Sequence, residues 1–151
     1  LKPYLALNRL VLDALTPWDT QARKDAAIAL AQQCKQAAEQ AYARSADVWD
    51  AVMQPEAVLV ERLLDGSFAK IGKAGQAAFD AVLDAYTAAL RNVTIKPSEL
   101  DSVVSQMELL SRFYDAKHVA THEAALKRTA DRLVELVRRL QPASRHQVSC
   151  R

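Results

Sequence analysis

Asp115, His118 and His122, followed at once by Glu123, are the residues whose types and spacing come nearest to a chemical site. Offsets of three and seven place the first three on one helical face, in line with Tyr114. Two histidines four residues apart can chelate one metal ion, and a carboxylate one turn away can supply a third ligand. The stretch between Tyr114 and Leu126 is polar where its neighbours are apolar. Polar side chains turned into a helical bundle need partners, and a metal is one such partner. A plainer explanation accounts for the histidines better: partial exposure, or hydrogen bonding across a bundle. His146, the remaining histidine, lies near the C-terminus and adds no ligand geometry.

Small metal-binding helical bundles resemble this arrangement only in outline. A di-iron bundle uses paired Glu-x-x-His motifs, and a single Asp-x-x-His stands here. Nothing in the sequence calls for a cofactor, and none is expected.

Charge is the second candidate. Residues 117–151 hold eight basic side chains (Lys117, Lys127, Arg128, Arg132, Arg138, Arg139, Arg145 and Arg151) against Glu123, Asp131 and Glu135, a net of +5. The remainder holds twelve basic and fifteen acidic residues, so the overall +2 conceals a basic C-terminal end. Lys127, Arg128, Arg132, Arg138 and Arg139 are the candidate contacts to a phosphate backbone. Cations near a helix C-terminus also offset the helix dipole, and Asp131 and Glu135 interleave with them as on an ordinary solvated face. Other candidates carry less. Gly72-Lys73-Ala74-Gly75 lacks the long glycine-rich turn and preceding strand of a phosphate loop. Cys34 sits on an alanine stripe and reads as a small core residue. Asp47, Asp50, Glu56, Glu61, Asp80 and Asp84 fall at expected helix-surface positions.

These residues must be positioned by helices. In 151 residues there are only three Gly and five Pro, too few for the turns of a β-sandwich or barrel. Alanine and the other strong helix formers dominate. The length suits one domain able to sustain its own core. The expected fold is all-α, an up-and-down bundle of four to five amphipathic helices forming a single domain over 1–141, with a flexible polar tail over 142–151.

A first short helix carries Leu5, Leu7, Leu10, Val11 and Leu15. Thr16 then caps a helix opened by Pro17, with Asp19 three residues on, and Trp18 anchors it. Its inner stripe reads Ala22, Ala26, Leu30, Cys34, Ala37 and Ala41, extended by Val48, Trp49, Val52 and Met53 until Gln54-Pro55 ends or kinks it. Pro55 opens a short helix that Gly66 terminates in the left-handed conformation. Ser67 caps the next segment, in which Phe68 and Ile71 read as core plugs. Gly72 and Gly75 delay the next helix to about Ala74, where Phe79, Val82, Leu83, Tyr86 and Leu90 begin a clear stripe that Asn92 closes. Ser98 caps a last long helical region with two stripes, Leu100, Val103, Met107, Leu110, Tyr114 and Leu126, Ala130, Leu133, Val137, Leu140. Their alternating steps of three and four match a coiled-coil or bundle seam. Pro142 stops it.

The two cysteines, Cys34 and Cys150, form no disulfide framework and no metal spacing, which points to a reducing, cytoplasmic setting. No run of about 18 apolar residues exists to span a membrane. Asn92-Val93-Thr94 matches a glycosylation acceptor by chance. The chain begins at Leu1 rather than Met and reads as a piece of a larger protein or assembly. The residues point away from an enzyme and towards a module that binds a protein partner or a second copy of itself. Val48, Trp49, Val52 and Met53, which put apolar side chains on more than one side of their helix, are the candidate partner surface.

Overall fold

The computed structural model describes residues 2–141. Pro142 and the tail 143–151, with Arg145, His146, Cys150 and Arg151, lie outside the described residues. Within them the chain is all-helical, with six α-helices: α1 (Pro3–Ala14), α2 (Gln21–Ser45), α3 (Val48–Leu64), α4 (Gly72–Arg91), α5 (Pro97–Thr121) and α6 (Ala124–Leu140). A single 3-10 turn, Ser67–Ala69, joins α3 to α4. No helix among the described residues is long and apolar enough to cross a membrane. The chain divides into two compact units, one up to Thr94 and one from Ile95.

The described residues hold six helices rather than four or five because the last long helical region breaks in two at His122, while the break expected at Gln54-Pro55 falls at Ala46 instead. Ala46 adopts a left-handed conformation (φ 52°) and ends α2. Ser45 and Asp47 secure the break. The Ser45 hydroxyl is hydrogen-bonded to the Ala41 carbonyl at 3.0 Å and to the Asp50 carboxylate at 2.9 Å. Asp47 then caps α3 by accepting from the Trp49 N–H at 2.7 Å. In the same way His122 (φ 58°) ends α5, and α6 starts two residues later.

Pro55 does not end a helix. It lies inside α3 and is buried there, flanked by buried Ala51, Val52, Ala57, Leu59 and Val60. A proline inside a helix forfeits one backbone hydrogen bond, and here that loss is offset by packing on both sides of the helix. The start of α2 also differs from expectation. Thr20, not Thr16, is the cap, accepting from the Arg23 N–H at 3.2 Å. The Thr16 hydroxyl instead donates back to the Leu12 carbonyl at the end of α1. At the start of α5 the cap is Lys96 rather than Ser98, because Pro97 takes the first helical position. The Glu99 carboxylate accepts from the Lys96 N–H at 3.0 Å.

The core of the first unit gathers Leu7 and Leu10 of α1, Ala27, Ala31 and Cys34 of α2, and Ala57, Val60 and Leu64 of α3. The buried seam of α2 is therefore Ala27, Ala31, Cys34 and Ala38. Of the expected stripe, Cys34 is buried, whereas Ala22 and Ala26 face solvent. Alanines surround this helix, so composition alone does not fix which side packs. Small side chains on that seam let α3 approach closely. On its other side α3 packs against α4 and the 3-10 turn. There Phe68 is fully buried, with its ring 6.3 Å from that of Phe79. Ile71, expected as a second plug, is 73% exposed. Gly66 ends α3 in the left-handed conformation (φ 80°), as expected, and α4 starts at Gly72 rather than Ala74.

In the second unit α5 and α6 pack together. Leu100, Val103, Met107, Leu110 and Tyr114 are all buried, as are Ala130, Leu133, Val137 and Leu140.

A left-handed residue bearing a Cβ is strained by about 1–2 kcal/mol, part of which glycine returns as unfolded-state entropy. Ala46→Gly and His122→Gly should each raise stability by roughly 0.5–1 kcal/mol. Urea midpoints check this, and an unchanged or lowered midpoint for both would show that neither turn stores strain.

Candidate functional surfaces

Asp115, His118 and His122 are not assembled as a ligand set. His118, near the end of α5, places its Nδ1 3.0 Å from the Glu123 carbonyl oxygen. His122 is the left-handed residue that closes α5, and its side chain is exposed. The Asp115 carboxylate lies 3.7 Å from the Lys127 ammonium. Among the described residues no group of three or more His, Cys, Asp or Glu side chains is placed to hold a metal ion. The polar stretch between Tyr114 and Leu126 spans the last two turns of α5, the turn at His122 and Glu123, and the start of α6, and all of it is exposed or half-buried. That exposure accounts for its polarity without a ligand.

The basic residues of α6 do share one face. Lys127, Arg128, Arg132, Arg138 and Arg139 fall opposite the buried seam of Thr129, Ala130, Leu133, Leu136, Val137 and Leu140. Two carboxylates sit among them. Lys127 pairs with Asp131 at 2.9 Å, and this contact raises its pKa. Glu135 lies 2.6 Å from Arg138 and 4.0 Å from Arg139. The Arg138 guanidinium holds the Glu135 carboxyl below the usual carboxylate range. Partial burial, and then the neighbouring Arg128, lower the pKa of Arg132. Solvent screens these exposed pairs, so they add little to stability. Together they occupy much of the charge that a phosphate backbone would otherwise meet.

The four residues of the expected partner surface all fall in the first two turns of α3 but differ in exposure. Val52 is buried, and Met53 packs against the core of the first unit. Val48 is half-buried, and only Trp49, 44% exposed, presents a large apolar surface.

Two other apolar surfaces lie outside the sequence expectations. On α5, Leu109, Phe113, Ala116 and Ala120 are all exposed. Steps of four, three and four align them on one face, away from the buried seam. Val119 flanks them and is exposed too. The spacing is visible in the sequence, but the stronger Leu100–Tyr114 stripe on the same helix masks it. The second surface is a groove between α1 and α2, whose apolar floor includes Ala6, Leu10, Trp18, Ala27 and Leu30.

Three of the six carboxylates expected at the surface, Asp50, Glu56 and Glu61, are half-buried. Glu56 is the one among them whose burial shifts its carboxyl. It continues the stripe of Val52, Leu59 and Leu63 on α3, all three of them buried. That spacing was the available signal. Burial pushes the Glu56 carboxyl up to about 7. Burial, reinforced by the charge of Glu56, also raises the Tyr86 phenol on α4. Among the described residues no cation or hydrogen-bond donor offsets the desolvation of Glu56. Its ionised form is therefore disfavoured in the folded chain. Cys34 is fully buried, and desolvation raises its thiol pKa, the reverse of an activated nucleophile.

Comparison of the chain with protein-family models, with curated proteins and with solved structures returns no match.

An acid whose pKa is higher folded than unfolded binds more protons in the folded state, so its contribution to stability falls as pH rises between the two values. For Glu56 that window runs from the ordinary 4.5 to about 7. Glu56→Gln should therefore change stability little at pH 4 and raise it by roughly 1–3 kcal/mol at pH 8. Urea unfolding of both proteins at the two pH values tests this. An equal difference at both would mean that Glu56 is ionised freely in the folded protein.

Proposed function

We propose that this chain is a protein–protein interaction or scaffolding module, working as part of a larger protein or assembly. The observation that carries the reading is the second apolar face of α5. Leu109 and Phe113 are 48% and 45% exposed, one turn apart, and Ala116 and Ala120 continue the stripe. Apolar residues at helical spacing on a helix that already buries its opposite face suit helix-to-helix docking. Scattered apolar residues on a surface need no explanation, but an aligned row does. The occupant is a protein, either a different chain or a second copy. Trp49 offers a further exposed anchor of the kind enriched at interfaces.

A second reading, association with nucleic acid, is favoured by one observation: five cations on a single face of α6. The acids among them count against it. The up-and-down bundle and the single domain over 1–141 belong to the proposal as well. Coincident urea transitions for tryptophan fluorescence, which reports Trp18 and Trp49, and for far-ultraviolet circular dichroism are expected of a single domain. Two separated transitions would divide it.

The functional test captures partners from native lysate on the immobilised chain and on a Leu109→Glu/Phe113→Glu variant, each with and without nuclease. The expected outcome is a protein that survives nuclease and is retained at least tenfold less by the variant. A partner lost on nuclease treatment would transfer the function to α6. Equal retention by both chains would remove α5 as the docking face. Sedimentation over a range of concentrations completes the test, since a constant monomer mass would exclude the second copy.

A further inference from the structure

We propose that the groove between α1 and α2 is a docking site for an acidic amphipathic helix of a partner protein. The proposal extends the interaction reading to a surface separate from the α5 face. The groove has a volume of about 560 Å³. Its floor lies over the first unit's core: Leu10 and Ala27 are buried members of that core, and Ala6, Trp18 and Leu30 pack against it half-buried. Those three half-covered side chains leave apolar surface open between the two helices.

The rim fixes the chemistry of the occupant. Lys2 and Arg9 along α1 and Arg23 at the start of α2 line the groove, with Asp13 the single carboxylate facing them. Lys2, Arg9 and Arg23 are all exposed. Arg23 is held by Asp19 at 2.8 Å, which leaves Lys2 and Arg9 as the cations that an acidic ligand would meet first. Apolar floor and cationic edge together match a helix with a leucine stripe and glutamates beside it.

Extent favours a helix over a small anionic amphiphile. The groove follows α1 from Lys2 to Asp13, nearly its full length, about three helical turns. Leu5 lines the groove and is 60% exposed, so its apolar side chain is open to an occupant.

Trp18 supplies the readout. In the full chain carrying Trp49→Phe, Trp18 is the only tryptophan. The probe is a stapled helical peptide of roughly 16 residues, with a leucine stripe flanked by glutamates, its length set by the span of the groove. Controls are the same peptide with lysine for glutamate, and oleate. Saturable blue-shift of Trp18 emission by the glutamate peptide is expected, with at least tenfold weaker binding of the lysine peptide. Arg9→Glu should weaken the glutamate peptide at least tenfold and leave circular dichroism unchanged. Added salt should weaken binding as well. No saturable shift, or equal binding of both peptides, would overturn the proposal. So would saturable binding of oleate alone, which would make the groove a lipid site. The Leu109→Glu/Phe113→Glu substitutions should leave this titration unchanged, so the α5 reading and the groove can fail separately.

Discussion

The two-sided burial of α3 is the constraint on which the first unit depends. One side of α3 meets the alanine seam of α2 and the leucines of α1. The other meets α4 and the 3-10 turn around Phe68. A helix used on both sides must carry apolar residues almost all round, and residues 51–64 do so. The same requirement explains two irregularities. Pro55 persists inside the helix because tertiary contacts, not propensity, hold it. Glu56 stands in a buried stripe because little of this helix is left for a charged side chain. The Gln32 amide of α2 reaching the Glu61 carboxylate at 3.0 Å marks one of the few polar margins that remain.

How far the sequence discloses this architecture depends on the chemistry of each element. The seams of α5 and α6 were legible because large apolar residues recur against polar ones at helical spacing, and every member but Leu126 is buried. The seam of α2 was not, since alanine on many sides gives no contrast from which to read a face. The break at Ala46 was hidden because alanine is a strong helix former, and the one at His122 because histidine, though enriched in the left-handed region, is also accommodated within helices. The Ser45–Asp47 pair around the first was the only local sign. At position 55 the local preference of proline lost to packing. As for the surfaces, Trp49 was found from its type. The α5 row and the groove depend on what neighbouring helices fail to cover, which spacing alone does not give.

The charges of α6 show how composition overstates a surface. A net excess of cations near the C-terminal end suggests a polyanion site. Spatially, Asp131 and Glu135 stand among the cations at one-turn intervals and bind them. Such i, i+4 pairs stabilise an exposed helix modestly and at the same time lower the field that the face projects. The groove on α1 and α2 has fewer cations, but they stand beside apolar surface.

Cys34 lies at the centre of the first unit's core, on the seam where α2 and α3 meet. No solvent reaches it in the folded chain. An oxidant or alkylating agent therefore meets this sulfur only when the two helices part. Any chemical mark found on it is a record of such an opening, and the rate at which marks accumulate measures how often that core comes apart. An aging sample of this protein thus keeps its own tally of local unfolding, written on a buried thiol.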